Sequence, residues 1–348
     1  MKPLLLAPNP VQHFYRGGAR IAALRGFTPT SDHQPEEWVA ATVARFGEET
    51  TGLAVTEDGR LLRDLVEADP AAWLGAEPAA APRPGPADTG VLVKLLDAGQ
   101  RLPVHAHPDR AFAASHLDCP YGKTESWFVV DAEPGAAVHL GWTEDVDPAE
   151  LAVRRDEQDS DWMLSRMHRV PVEPGDGILV PAGQVHAIGE GVFVVEVQEP
   201  TDFSILLEWS VTTSTREESH LGLGFERAMA AVSHEALKPA DLASLRRRVD
   251  PGLTTGTLTP ALPSLGDTFF RLDVLAPGAE QSEPVPAGFA AVVVLEGGGA
   301  LVSEAGEVPV AGGDLVAVPA AYGAWSVRGP LHVLVARPGI GWPAALSQ

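Results

Sequence analysis

The sequence predicts a mainly β protein built from two jelly-roll β-barrels with helical insertions and a helical connector, and three observations carry that expectation. Of 348 residues, 35 are glycine and 31 are proline, a density of turn formers that keeps regular elements short. The apolar runs are brief, rich in β-branched residues and bounded by Gly, Pro or Asp, as strands of an antiparallel fold are. Finally, Gly175-Asp176-Gly177-Ile178-Leu179-Val180-Pro181 recurs as Gly313-Asp314-Leu315-Val316-Ala317-Val318-Pro319, the internal echo of a duplicated unit.

Taken in order, residues 1–76 mix short apolar segments with a helix expected near Leu61–Trp73, and Glu77–Gly90 reads as a Pro/Ala/Gly loop. Strands are expected at Val91–Leu96, Ser126–Asp131, Ala137–Leu140, Gly177–Val180 and Val192–Val197. Asp147–His168 has a helical composition and reads as an insertion between barrel strands. These pieces place an N-terminal region and a metal-binding barrel at 1–210, with the insertion at about 147–168. A helical connector follows at 211–255, where Phe225, Met229 and Val232 recur at helical spacing and Arg246-Arg247-Arg248 reads as a solvated helix end. The second barrel occupies 256–348, with strands expected at Phe269–Leu275, Ala290–Leu295, Leu315–Val318 and Leu331–Val335. His186 lies eleven residues after Gly175, whereas the equivalent place after Gly313 is Ala324, so the second barrel is expected to be degenerate, without metal ligands.

Composition excludes several classes. A 45% hydrophobic content supports a sizeable core, and a net charge of −22 repels nucleic acid and anionic membrane surfaces alike. The single cysteine, Cys119, offers no disulfide framework. Met1–Pro8 holds only a short apolar run broken by prolines, where a signal peptide needs ~7–15 apolar residues. A cytoplasmic protein, monomeric or homodimeric and acting on a small molecule, is expected.

The chemistry lies in three elements. His105 and His107 in Pro103-Val104-His105-Ala106-His107-Pro108 stand at i and i+2, on one face of an extended segment. Glu125 sits at the mouth of an apolar strand in Gly122-Lys123-Thr124-Glu125-Ser126-Trp127, where an inward carboxylate without a cation would be costly. The pattern from Gly175-Asp176 through Pro181-x-Gly183 to His186 is a turn, a strand and a second turn that return one imidazole inward. Such a mixed nitrogen and oxygen shell suits zinc, iron, manganese, cobalt or nickel with positions left open for substrate. The other eight histidines, His13 among them, lack such company and read as structural.

The order and spacing of these pieces resemble the type I mannose-6-phosphate isomerases of the cupin superfamily. Gly17-Gly18 after Phe14-Tyr15, Glu36-Glu37-Trp38 and Val93-Lys94-Leu95-Leu96-Asp97 look like that family's early segments. His107-Pro108-Asp109, Gly122-Lys123-Thr124-Glu125-Ser126-Trp127 and Pro181-Ala182-Gly183-Gln184-Val185-His186-Ala187 follow its later motifs. The resemblance implies a cupin fold, one zinc ion on His107, Glu125 and His186, and His105 at a position that is a ligating Gln in many members. It further implies an active-site lysine at Lys123, a catalytic glutamate at Glu196, and a sugar phosphate isomerised between aldose and ketose through an enediol.

Two departures bear on the substrate. The family arginine ten positions after the glutamate is Leu206 here, and Arg110 follows Asp109 where a second aspartate is usual. Arg110 is accordingly a candidate for binding substrate in place of the missing arginine. Three alternatives stay open at this stage: an isomerase of a neutral or different sugar, an Fe(II) cupin oxygenase, and a sugar-binding cupin without turnover.

Overall fold

The computed structural model describes residues 1–347, whose strands form three antiparallel sheets. A seven-stranded sheet runs Arg246–Arg248, Asp176–Val180, Glu125–Ala132, Val192–Gln198, Leu92–Asp97, Glu36–Val39 and Pro10–Val11. A five-stranded sheet runs Ile205–Leu206, His105–Ala106, His186–Ile188, Ala137–Trp142 and Met167–Pro171. Their inner faces share one core, in which Trp127, Val129 and Val194 meet Val138, Leu140 and Ile188. The expected first barrel is therefore a jelly-roll sandwich of two open sheets. No sheet closes on itself among the described residues, and the five-stranded one ends on the two-residue strand Ile205–Leu206.

The central strands of the larger sheet are buried on both faces: every residue of Leu92–Asp97 and of Val192–Gln198 is buried. This accounts for their near-continuous apolar sequence, since double-sided burial removes the usual alternation. The face opposite the sandwich packs on the C-terminal sheet, and Val93, Leu95 and Val195 belong to the same core cluster as Leu272, Val274, Ala291 and Leu334. Side chains at alternate positions point the other way, so Lys94, Glu125, Trp127 and Glu196 all look into the sandwich.

The C-terminal strands and Leu4–Leu5 form an eight-stranded sheet. Its organiser is the 14-residue strand Ala290–Ser303, which pairs with Leu315–Val318 in its first part and with Gly306–Ala311 and Trp325–Arg328 beyond a register shift at Val294/Glu296. The bend lets one strand serve both sides of a second core around Val292, Leu301, Trp325 and Val333. The repeated Gly-Asp turns do the same work in both halves. Gly175 and Gly313 adopt φ of 91° and 92°. Asp176 Oδ2 accepts from the Glu173 N–H at 2.9 Å, and Asp314 Oδ2 from the Ala311 N–H at 2.7 Å.

Several expectations are corrected. The helix near Leu61–Trp73 is two helices, Leu62–Ala68 and Pro70–Leu74, because Pro70 lacks an N–H and restarts the helix behind the Asp69 cap, which accepts from Ala72 N at 3.0 Å. A short helix, Ala76–Ala80, reaches into the segment read as a loop. The insertion holds the helices Pro148–Glu157 and Ser160–Ser165 but ends in the strand Met167–Pro171. The connector contains only short turns of helix, the longest being Pro239–Ser244. Arg246–Arg248 is an exposed edge strand paired with Asp176–Ile178, and Arg248 finds Asp176 at 2.9 Å and Glu173 at 3.1 Å. Charged residues are what an open sheet edge favours, so the arginine run caps an edge and not a helix. Among the described residues no helix is long and apolar enough to cross a membrane.

Candidate metal centre

Strand pairing brings the sequence-distant ligand candidates together. His186 is the direct antiparallel partner of His105, and Leu206 is the partner of His105 on its other side. Across the sandwich, Glu125 begins its strand opposite Gln198, and Glu196 pairs with both Trp127 and Lys94. One ring nitrogen from each of His105, His107 and His186 lies within 4.8 Å of the others, and all three residues are buried. Glu125 reaches His107 Nε2 at 3.0 Å through Oε2 and His186 Nε2 at 3.3 Å through Oε1.

The donor set fits a divalent metal. Each imidazole uses Nδ1 against a backbone carbonyl: His105 on Pro103 at 2.9 Å, His107 on Phe203 at 2.7 Å, and His186 on Gln184 at 2.8 Å. An Nδ1–H donated in this way leaves Nε2 as a lone pair, which is the tautomer a metal ligand needs and the outer-shell support metal sites use. Among the described residues His186 Nε2 is buried and has no hydrogen-bond partner, an orphan that an ion would satisfy. Burial, aided by His186 and His107, drives His105 well below the usual imidazole range, and burial with the Lys123 charge brings His107 to about 3. Both rings are thus neutral at physiological pH, as ligation requires.

The acidic and basic groups around these nitrogens are interlocked. Lys123 donates to His107 Nε2 at 2.9 Å, contacts Glu125 and lies 3.8 Å from Glu196. Burial pushes the Glu125 carboxyl up, but Lys123, His107 and His186 outweigh it and hold it well below the usual carboxylate range. Glu196 goes the other way, raised to about 8 by burial and by the neighbouring Glu125 charge, with Lys123 and Lys94 only partly opposing. Two buried carboxylates in one cavity are thereby pushed apart, the pattern that separates a ligand from a proton carrier.

All seven residues singled out from the sequence are accounted for. Six converge: His105, Lys123, Glu125 and Glu196 line a small cavity of about 40 Å³, with His107 and His186 behind it. The seventh, Arg110, lines neither this cavity nor the larger one beside it. Its guanidinium is committed to Glu199 at 2.6 Å and lies over the Phe269 ring at 4.8 Å, joining the half that holds the histidine cluster to the C-terminal half.

The structure adds residues to which the sequence reading gave no role at the site. His13, Tyr15, Glu36, Lys94 and Asp202 line the same cavity. Lys94 pairs with Asp202 at 3.1 Å, Glu36 at 3.4 Å and Glu196 at 3.9 Å. Burial works against its charge, but these carboxylates outweigh it and hold Lys94 above the ordinary lysine range. The available signal was a lysine inside the otherwise apolar run Val91–Leu96, since such a charge is tolerated only against buried partners.

Comparisons with known proteins agree with the motif reading. No protein-family model matches the chain. It is 28% identical over 245 residues to mannose-6-phosphate isomerase ManA of Bacillus subtilis, spanning 70% of this chain and 74% of that protein. It is 39% identical over 112 residues to a mannose-6-phosphate isomerase of Streptococcus mutans, spanning 32% of this chain and 34% of that protein. Among solved structures, the Bacillus subtilis mannose 6-phosphate isomerase superposes with a TM-score of 0.71 at 22% identity over 97% of this chain and 100% of that one. The Salmonella typhimurium enzyme bound to fructose 6-phosphate and zinc gives a TM-score of 0.72 at 14% identity over 98% of this chain and 100% of that one. The chain is similar in sequence to proteins named mannose-6-phosphate isomerase and shares the fold of their solved structures.

Proposed function

We propose that this chain is a zinc-dependent aldose–ketose isomerase that interconverts mannose 6-phosphate and fructose 6-phosphate. The observation that carries this reading is one buried cluster in which three backbone-supported imidazoles and Glu125 meet Lys123 and Glu196. Relatives named mannose-6-phosphate isomerase supply the substrate, and the Salmonella typhimurium structure supplies the metal and the sugar phosphate.

His105, His107, Glu125 and His186 would hold the ion. Zinc, when bound, supplies Lewis-acid polarisation of the sugar's C1 and C2 oxygens. The reaction moves one proton from C2 of the aldose to C1 of the ketose by way of an enediol, with a matching transfer between the two oxygens, so no co-reactant is consumed. Glu196 takes and returns the carbon-bound proton, and its elevated pKa keeps both protonation states accessible near neutral pH. Lys123, held between Glu125 and Glu196, orients the sugar's oxygens by donating to them. Lys94 fixes Glu196 and Asp202 in the cavity wall. The apolar packing around Trp127 and Leu206 excludes water from the intermediate.

A second reading, an isomerase of a neutral sugar, is favoured by Leu206 alone. One experiment tests both: metal analysis of the purified protein coupled to turnover of mannose 6-phosphate and, separately, mannose. About one zinc per chain with turnover of the phosphate is expected; zinc retained with turnover of mannose only selects the neutral sugar, and no turnover of either sinks the isomerase.

A further inference from the structure

We infer that Arg45 is the cation that receives the substrate's phosphate, in the part that Leu206 cannot play. The inference rests on the isomerase reading above and names the phosphate subsite of that same site. A chamber of about 470 Å³ adjoins the metal cavity and shares His13, Phe14, Asp202, Ser204 and Leu206 with it. A sugar whose C1 and C2 face the imidazoles must send its far end out of the small cavity, and this chamber is the space contiguous with it. Leu206, beside His105 in the sheet, stands on the border between the two.

Among the described residues, Arg45 is the one lysine or arginine lining the chamber. Its side chain makes no hydrogen bond among the described residues, and its ion pair with Glu48 spans 3.6 Å, beyond hydrogen-bonding distance. The Arg45 side chain is 21% exposed, so a largely covered side chain ends in a fork of donors without hydrogen-bonded acceptors, which is the state an incoming phosphate would satisfy through two parallel hydrogen bonds.

The loop that carries Arg45 is fixed to the metal centre. Its N–H donates to Thr51 O and its carbonyl accepts from Glu48 N, both at 2.9 Å. The adjacent Phe46 packs edge-on to Phe203 at 5.2 Å, and Phe203 is the residue whose carbonyl holds the His107 ring. Burial lowers His13 to about 4 against the pull of Glu36, and the Arg45 charge adds to that lowering, so its field reaches the cavity wall.

The chamber's carboxylates other than Glu48 have partners other than Arg45. Asp202 pairs with Lys94 at 3.1 Å, and Glu218 accepts from the Thr215 N–H at 2.8 Å and its hydroxyl at 3.0 Å. Glu48 alone competes for the guanidinium, so phosphate exchanges with Glu48 as the partner of Arg45. Arg110, the other candidate, is already bound to Glu199.

The test is calorimetric binding of mannose 6-phosphate and of mannose to the zinc-loaded full chain, for the wild type, Arg45→Met and Glu48→Gln. Arg45→Met is expected to lower the preference for the phosphorylated sugar about ten- to a hundredfold, the worth of a charge-assisted contact. Glu48→Gln is expected to raise that preference. Zinc content and unfolding temperature confirm that the variants are folded. An unchanged preference in Arg45→Met overturns the inference, as does a wild type that binds the phosphate no more tightly than mannose. Failure of the isomerase reading is separate, since it appears as sugar binding without interconversion in the wild type.

Discussion

His105 and His186 are directly opposed residues of neighbouring antiparallel strands, and their rings approach to 4.1 Å between centroids. Two buried imidazoles with Nδ1 already spent on carbonyls gain little from each other, and they become favourable together when one ion takes both Nε2 lone pairs. His107→Ala and His186→Ala are each expected to weaken zinc binding by more than about a hundredfold, beyond the 10- to 100-fold typical of outer-shell partners. Metal analysis of folded variants after dialysis checks this; full metallation of either would remove it from the ligand set. His105→Gln should retain zinc, because the amide oxygen preserves a donor at that place.

Glu196→Gln separates proton transfer from metal binding. The amide keeps the shape and hydrogen bonding of a side chain that touches none of the imidazoles, so zinc content should match the wild type. Turnover should fall by about 10²–10⁴-fold, the usual worth of a positioned acid or base. Near wild-type turnover in the variant would transfer the proton to another group, with Lys123 next in position.

Chelation should destabilise the fold as well as stop turnover. A metal that binds the folded chain and not the unfolded one adds about 2.7 kcal/mol when it is present at 100 times its dissociation constant. Scanning calorimetry of zinc-loaded and chelator-treated protein is expected to show a lower unfolding temperature for the latter, restored by zinc. Coincident temperatures would place the ion outside the folded core.

The site was legible in sequence because its ligands sit in short motifs with strong local constraints. His105 and His107 share a strand face by spacing alone, and the turn before His186 needs its glycine and proline. Lys94, Glu36 and Asp202 were harder to see, since their presence in the cavity depends on the register between Leu92–Asp97 and its neighbours at Glu36–Val39 and Val192–Gln198. The connector failed for a different reason. Phe225, Met229 and Val232 do bury their side chains in one cluster, with Val232 in an extended conformation after two short turns, so helical spacing reported burial without a continuous helix. The place of Arg110 was not legible, because a charge near a motif says nothing of its own partner, here Glu199.

The echoed turns should respond alike to the same change. A Cβ on Gly175 would lie 2.1 Å from Val249 O, and one on Gly313 2.2 Å from Leu24 O, in both cases against backbone and at positive φ. Gly175→Ala and Gly313→Ala are each expected to cost more than about 1 kcal/mol, the penalty when Ala is placed where the native backbone excludes it. Thermal unfolding checks this, and a neutral Gly313→Ala would mean that the second turn relaxes where the first cannot.

Glu208 ties the segment that leads into His105 to the insertion, and its ionisation should set part of the acid limit of stability. The side chain is fully buried. It accepts from both terminal nitrogens of Arg101 at 2.7 and 2.6 Å, from the Val104 N–H at 2.9 Å beside His105, and from the Ser160 hydroxyl. Burial pushes the carboxyl up, but these donors and the Arg101 charge outweigh it, so its folded pKa lies below the ordinary 4.5. A depressed pKa stabilises the fold fully above the unfolded value, and that contribution is lost as pH falls through the folded one. Glu208→Gln is expected to cost about 2–3 kcal/mol at neutral pH, less than the ~3–5 kcal/mol of a fully buried pair, because Arg101 keeps 23% exposure. The difference from wild type should stay flat down to about pH 5 and shrink below 4.5. Denaturant unfolding of both proteins across that range measures it; a difference that grows on acidification would show that Glu208 is not the group being protonated.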